Sequence, residues 1–225
     1  MPSERINPPE REHDHLARPR AYAYTPDAMK TSIQMRLASS LCGALLLAAS
    51  GVPASAQSSL RSVTDPNGRY TISFPTSWEV VSMNTTPLAG EIVTKVGKNL
   101  FSMLMAIEPG GSPDAPTVLL VMGMPLDKAV SPRTFGMITG ESMGEKLEGY
   151  ALVEEGTATI AKRPAFYRYF TMIKQKHELY SVMVYFTVDK TGYMIFGATP
   201  NQPETVRKSF GDISQILESF RPTGK

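Results

Sequence analysis

The sequence predicts an α+β domain in which a mainly antiparallel sheet carries helices against its faces. The evidence is clearest near the C-terminus, where β-rich segments at 165–173, 179–188 and 193–199 follow one another through short polar turns. Three strands joined in this way make an antiparallel meander. An amphipathic helix follows Pro203, because apolar residues recur there at three- and four-residue spacing. These residues are Val206, Phe210, Ile213, Leu217 and Phe220.

The meander and its helix also carry local predictions. Apolar residues alternate from Tyr180 to Val188, which predicts one face of that strand in the core and the other partly exposed to water. The following Asp189-Lys190-Thr191-Gly192 predicts a short hairpin loop with Gly192 in the left-handed conformation. Asn201 is the predicted N-cap of the helix, with Glu204 completing a capping box.

The segments upstream predict further strands and one more helix. The run at 118–121 is apolar on both parities, as in a central strand that is covered on both faces. A loop rich in glycine and proline precedes it at 109–113. The predicted elements in order are a strand at 69–74, an edge strand at 79–82, strands at 100–107 and 117–124, a helix at 131–147 and a strand at 150–160.

The first 56 residues predict a targeting segment with a leader in front of it. Residues 1–28 are polar and contain five prolines, so they are predicted to be a disordered extension. Residues 29–56 place basic residues before an apolar run and end in Pro-Ala-Ser-Ala, which is the order of a secretory signal peptide. The hypothesis for the leader is that synthesis begins at Met29, so that residues 1–28 are either an extension from a mis-assigned start or a dispensable leader.

Cleavage of this signal is predicted after Ala56, with Ala54 and Ala56 as the small residues of the cleavage motif. The apolar run, 37–49, is shorter than the about 20 residues that a membrane span needs. The alternative is a short uncleaved anchor. Cleavage would leave a single domain at 57–225, with no stable membrane span, in the periplasm or outside the cell.

Composition excludes several kinds of chemistry from that domain. The only cysteine, Cys42, lies inside the apolar run and not behind it, so lipid attachment at this residue is rejected. A chain cleaved after Ala56 has no cysteine, which excludes disulfides, thiolate catalysis and thiolate metal sites. The net charge of the chain is +2 and no basic cluster contains interleaved aromatic residues. Nucleic acid is therefore not an expected partner.

Both ends of the predicted domain resemble PsbP-like domains. The segment from Asp65 to Trp78 consists of a turn, a strand, Pro75 and Trp78. This order is similar to the opening of that family. The closing meander and the helix ending Ile216-Leu217-Glu218-Ser219-Phe220 are similar to its C-terminal part. The resemblance implies an α-β-α sandwich and a non-enzymatic binding or accessory role. It implies no catalytic, metal or cofactor residue, because no shared active site carries over.

One motif supports an enzymatic alternative. Gly140-Glu141-Ser142-Met143-Gly144 matches the nucleophile elbow of serine hydrolases, and His177 lies downstream with acidic residues between them. Against a small serine esterase using Ser142, no βα alternation surrounds the motif, and a helix is predicted to run through it. The glycines Gly136, Gly140 and Gly144 on that helix are instead expected to allow its close approach to the sheet.

Methionines support a third alternative, binding of Cu(I). Met103 and Met105 alternate on one predicted strand, and Met122 and Met124 on another, so neighbouring strands would bring four thioethers to one face. Thioether sulfur is a soft ligand that suits Cu(I), although methionine more often fills gaps in cores. The carboxylates of Glu154 and Glu155 are adjacent on a strand and point to opposite faces, so they are not expected to share a proton or a metal.

The function predicted from the sequence is an exported, non-enzymatic binding or accessory domain of the cell envelope. No cofactor is expected, and the partner is an envelope protein or a small ligand whose identity the sequence does not give. The predicted binding surface consists of the loop at 108–115 and the neighbouring segment 85–98, because function concentrates on loops that a rigid sheet holds.

Overall fold

The computed structural model describes most of the predicted domain and none of the targeting segment. The prediction of an extension at 1–28, a signal peptide at 29–56 and cleavage at Ala54 and Ala56 lies outside the described residues. The residues described are 59–82, 100, 102–111, 115–140 and 146–223.

The described residues form two antiparallel sheets and two helices. The helices are α1 (Pro132–Gly140) and α2 (Pro203–Glu218). The strands are β1 (Leu60–Thr64), β2 (Tyr70–Pro75), β3 (Glu79–Ser82), β4 (Ser102–Ile107), β5 (Val118–Pro125), β6 (Ala151–Ile160), β7 (Arg163–Lys174), β8 (His177–Val188), β9 (Thr191–Pro200) and β10 (Arg221–Pro222).

The larger sheet has seven strands in the order β3-β4-β5-β9-β8-β7-β6, and each strand pairs antiparallel with its neighbour. Helix α1 packs on one face of it, against β7 and β8, while α2 packs on the other face, against β9. The predicted α+β class, an α-β-α sandwich with a mainly antiparallel central sheet, is therefore confirmed. The predicted edge strand at 79–82 is also confirmed as β3.

The prediction that one face of β8 is partly exposed is wrong. Eight successive residues, from Leu179 to Phe186, are buried irrespective of their parity. Strand β8 lies inside the sheet, where α1 and its Phe135 cover the odd-numbered side chains such as Met183 and Tyr185. The polar residues among the odd-numbered positions of β8 are typical of an exposed face. These positions are nevertheless buried, because a helix packs on them.

Two predictions of turn and cap residues are also wrong. The β8–β9 connection has only two residues outside the strands, and it is Asp189, with φ of 52°, that adopts the left-handed conformation. Gly192 already belongs to β9, where a Cβ atom would lie 2.6 Å from the ring of Phe135. Gln202, not Asn201, is the N-cap of α2, and it makes no side-chain capping bond. The first turn relies on Pro203, as predicted.

The second sheet, of order β1-β2-β10, was not predicted as a unit. Its strand β2 packs on the α2 face through Tyr70, whose ring lies 5.9 Å from that of Tyr193 and 5.5 Å from that of Phe220. The sequence missed β1 because its residues are largely exposed and follow no apolar alternation. It missed β10 because two residues are too few for a pattern. This sheet holds the two ends of the domain together.

Candidate binding site

The first polar cluster of the domain pairs an aspartate with a serine. Asp65 is only 2% exposed. Its Oδ2 accepts hydrogen bonds from the backbone N–H groups of Asn67 at 3.1 Å and Arg69 at 3.2 Å, and its Oδ1 accepts one from the hydroxyl of Ser102. The hydroxyls of Tyr70 and Ser102 lie 3.1 Å apart. Burial raises the pKa of Tyr70, which keeps its hydroxyl neutral. No described histidine joins these groups, and they fasten the turn before β2 to β4.

The second polar cluster fastens α2 to the larger sheet. Glu108 is 8% exposed and lies 2.8 Å from Lys208 Nζ, and the hydroxyl of Ser209 donates to its other oxygen at 2.8 Å. The hydroxyl of Thr117 lies 2.9 Å from that of Thr199 and 3.2 Å from that of Ser209. Burial alone would raise the pKa of Glu108, but hydrogen bonds from Lys208, Ser209 and Thr117 and the charge of Lys208 outweigh it, so the pKa is lowered.

The lowered pKa of Glu108 predicts that the unmodified protein and Glu108→Gln differ in stability by an amount that depends on pH. Because the pKa of Glu108 is lower in the folded chain, its ionised form stabilises the fold above the ordinary value of 4.5, and this contribution disappears as the pH falls below it. Lys208 is exposed and screened by solvent, so we expect Glu108→Gln to lower the free energy of unfolding by only about 1 kcal/mol at pH 7. Urea titrations of both proteins should show the difference shrinking towards pH 3. An equal difference at both pH values would contradict the assignment.

The third polar cluster lies beneath α1. Arg168, although a charged residue, is only 6% exposed. Its Nε donates to Glu155 at 2.8 Å, its guanidinium lies 5.4 Å from the ring centroid of Phe166, and its Nη2 lies 3.1 Å from the sulfur of Met137. Glu154 instead accepts from the hydroxyl of Tyr167, so the two adjacent carboxylates have separate partners, as predicted.

Two glycines of α1 allow this close packing. A Cβ atom on Gly136 would lie 2.4 Å from the ring of Phe166, and one on Gly140 would lie 1.8 Å from the guanidinium of Arg168. The prediction that these glycines bring the helix close to the sheet is confirmed for both residues. Gly144 lies outside the described residues.

An open cleft lies beside these contacts, between the start of α1 and the strands β6 and β7. Its volume is about 570 Å³. Ser131 caps the helix there, since its hydroxyl accepts from the backbone N–H of Thr134 at 3.1 Å. The guanidinium of Arg133 lies 6.0 Å from the ring centroid of Phe166. The lining residues are Ser131, Pro132, Arg133, Thr157, Ala158, Thr159, Pro164 and Ala165.

The residues lining this cleft offer positive charge and hydrogen-bonding groups. Arg133 is the one ionisable residue among those lining it, and its guanidinium group has five N–H donors and no acceptor. Arginine therefore offers hydrogen-bond donors and positive charge but no general base. The hydroxyls of Ser131, Thr157 and Thr159 add donors and acceptors, and the N-terminal end of α1 adds partial positive charge. An anionic group fits this combination.

The structure leaves the esterase motif untested. Ser142 lies outside the described residues, and only Gly140 of its motif is described. His177 is exposed at the start of β8, where it pairs with Lys174. Among the described residues, no group of three or more histidine, aspartate or glutamate side chains is placed to hold a metal ion.

The methionines do converge as the copper alternative required. Strands β4 and β5 are neighbours, with Met103 directly opposite Met122, which in turn lies opposite Met194 of β9. Met105 and Met124 have the same parity and pack against the same buried cluster. That cluster also contains Phe135, Phe166 and Leu120, so packing of a core accounts for these side chains.

The binding surface predicted from the sequence is only partly described. Segment 85–98 and residues 112–114 lie outside the described residues. Within the rest of that loop, Glu108 is held by Lys208 and Ser209, while Gly110 and Gly111 are exposed. The cleft beside α1 was not predicted, because it depends on α1 lying across β7 and β8. The one sequence signal for it was an exposed arginine in the first turn of a predicted helix.

No protein-family model matches the sequence, and no curated protein matches it. Among solved structures, the PsbP protein of the cyanobacterium Synechocystis is similar, with 13% identity, a TM-score of 0.48 and coverage of 79% of this chain and 98% of that one. LpqN of Mycobacterium tuberculosis, involved in cell envelope biogenesis, has 10% identity, a TM-score of 0.48 and coverage of 72% and 90%. A Pseudomonas aeruginosa protein described as a putative regulator has 10% identity, a TM-score of 0.48 and coverage of 74% and 99%.

A PsbP protein is thus among the structures similar to this chain, as the motifs at the two ends of the domain predicted. Within the part of the chain that the structure describes, no helix has the length and apolar character needed to cross a membrane.

Proposed function

We propose that this chain is an exported binding or accessory domain of the cell envelope, and that the cleft between α1 and β6–β7 is its binding surface. One observation carries the proposal: the cleft contains a permanently charged donor, Arg133, and no other ionisable residue among those lining it. Such a site binds an anionic group without transferring protons. The signal pattern at 29–56 supports export to the periplasm or beyond, with 57–225 as the mature domain.

The polar clusters support a role that is not enzymatic. Asp65 and Ser102 join the turn before β2 to β4, and Glu108 joins the larger sheet to α2. Each carboxylate has its hydrogen-bond partners within the fold, so these groups position structural elements. The expected ligand is a carboxylate or phosphate group, carried either by an envelope protein or by a small molecule.

Arg133→Ala should strongly weaken this binding while leaving the fold intact. A charge-assisted hydrogen bond contributes about 1.5–3 kcal/mol, so its loss weakens binding about tenfold to a hundredfold. The measurement is capture from envelope extracts of the native host, with the tagged chain expressed whole and the bound proteins and small molecules identified by mass spectrometry. Arg207→Ala is the matched control, because Arg207 is an exposed arginine of α2 on the opposite face.

The expected result is one partner retained by the unmodified protein and by Arg207→Ala, and lost with Arg133→Ala. Equal retention by all three proteins would place the binding surface elsewhere. Covalent labelling by a fluorophosphonate probe, abolished in Ser142→Ala, would replace the proposal with the esterase alternative.

Cu(I) binding is the second candidate, because Met103, Met122 and Met194 lie in one row across three neighbouring strands. It has a separate test. Protein purified from its native compartment, or reconstituted with Cu(I), is challenged with a competing chelator. Retention of copper that Met122→Leu abolishes would support this candidate, whereas complete loss of copper from the unmodified protein would exclude it.

A further inference from the structure

The two edges of the seven-stranded sheet differ in how they are protected. Strand β3, at one edge, has only four residues, and short edge strands pair poorly with other chains. Strand β6, at the other edge, has ten residues and contains neither lysine nor proline. A bulge interrupts its pairing with β7 between Leu152 and Glu154. Beyond the bulge, the seven residues from Glu154 to Ile160 pair with β7 in regular register, and no described strand pairs with their other edge.

We propose that β6 pairs with β6 of a second copy of this chain, antiparallel and centred on Thr157. The two large sheets then form one continuous sheet. A two-fold axis perpendicular to the sheet relates antiparallel strands, so side chains of the same face stand opposite one another. With the axis at Thr157, this residue faces its own copy, Glu155 faces Thr159, and Gly156 faces Ala158.

This register is favoured over its neighbours by length and by charge. An axis at Thr157 uses all seven regular residues, from Glu154 to Ile160. An axis at Gly156 or at Ala158 would place two of these seven residues opposite residues that lie outside the regular segment. An axis at Glu155 would bring two carboxylates directly opposite each other, and like charges in that position are destabilising. The chosen register pairs threonine with threonine and each glutamate with an uncharged residue.

Charge complementarity also favours a second copy as the occupant. Arg133 lines the same cleft as Thr157 and Thr159. Glu155 of the second copy stands opposite Thr159. Its carboxylate, whose Oε2 accepts from Arg168 of its own chain, then lies at the side of the cleft that Arg133 occupies. The same pairing happens twice, once on each side of the axis. The two clefts then adjoin along one floor made of both β6 strands, with a helix α1 at each side.

Apolar surface beside the edge is covered in the same arrangement. Leu152 and Val153 are 49% and 43% exposed. With the axis at Thr157 they come beside the turn that joins β6 to β7 in the second copy, at 161–162. Pairing of seven residues is a small interface, so we expect a dissociation constant in the micromolar range, on the order of 10 µM.

Two lysine substitutions on the same face of β6 test the register. Thr157→Lys places two ammonium groups opposite each other at the axis and should weaken the dimer at least tenfold. Thr159→Lys places each ammonium group opposite Glu155 of the other copy and should leave the dimer as strong or tighten it about threefold. Both threonines are exposed, so thermal melting should show two folded proteins of similar stability.

The measurement is sedimentation equilibrium of the purified protein, expressed as the whole chain, over a concentration series up to about 1 mM. A reversible dimer, weakened by Thr157→Lys and kept by Thr159→Lys, supports the proposal. A monomer throughout the series overturns it, as does a dimer that neither substitution changes or that both weaken equally. Binding through Arg133 is tested separately by capture with Arg133→Ala, so failure of the dimer is distinguishable from failure of the proposed function.

Discussion

Replacing Gly136 with alanine is expected to lower the free energy of unfolding by about 2 kcal/mol. The new Cβ atom would meet the ring of Phe166 at 2.4 Å and that of Tyr185 at 2.9 Å. Both rings are fully buried between α1 and the sheet, so neither can move without disturbing the core. The better helix propensity of alanine, worth about 1 kcal/mol, is included in this net value. Denaturant titration followed by circular dichroism measures the change.

Gly211→Ala is the matched control, because it makes the same substitution in the other helix. A Cβ atom on Gly211 would have no described neighbour within 4 Å. Helix propensity then acts alone, and we expect the free energy of unfolding to rise by about 1 kcal/mol. If both substitutions stabilised the protein, the close contact of α1 with Phe166 would be contradicted.

Asp65→Ala is expected to cause a larger loss of stability, about 3 kcal/mol. The carboxylate accepts hydrogen bonds from two backbone N–H groups and from the hydroxyl of Ser102. Alanine removes the acceptor shared by one buried hydroxyl and two partly buried N–H groups, and a buried donor that loses its acceptor costs about 1–3 kcal/mol. Because Asp65 holds the turn before β2, the smaller sheet should also loosen, which hydrogen exchange of the β2 amides would detect.

Asp127→Ala is the control for this substitution. Asp127 is exposed in the connection between β5 and α1, so its removal should change the free energy of unfolding by less than about 0.5 kcal/mol. An equally small effect of Asp65→Ala would mean that the turn is held by its backbone bonds alone. In two of these bonds, the N–H of Asp65 donates to the carbonyl of Tyr70 and the N–H of Gly68 donates to the carbonyl of Asp65.

Periodicity in the sequence was sufficient to predict most of the large sheet and the helix α2. Segments such as 118–121 and 165–173 owe their strand character to their own residues, so the pattern is visible before any tertiary contact forms. The faces of β8 could not be predicted in this way. Ser181, Met183 and Tyr185 share the parity that was expected to be exposed, and the burial of Tyr185 involves a helix that approaches through Gly136 and Gly140.

The candidate site could be predicted less well than the fold. The cleft brings Arg133 beside Thr157 and Thr159, residues separated by more than twenty positions, and no local spacing encodes that contact. Conversely, a local motif such as the one around Ser142 can be recognised from the sequence alone, because its residues are contiguous. The structure shows that the carboxylates of Asp65 and Glu108 have structural partners, a fact that depends on long-range contacts with Ser102 and Ser209.

The central claim is that this domain binds an anionic partner in the cleft beside α1. Photo-crosslinking in the native host tests it most directly, with a photoreactive amino acid at Thr159, which lines the cleft, or at Arg207, on the opposite face. We predict that position 159 forms an adduct with a molecule other than a second copy and that position 207 does not. That adduct should disappear when Arg133→Ala is added. Adducts from position 207 alone, or adducts of position 159 with a molecule other than a second copy that persist in Arg133→Ala, would contradict the claim.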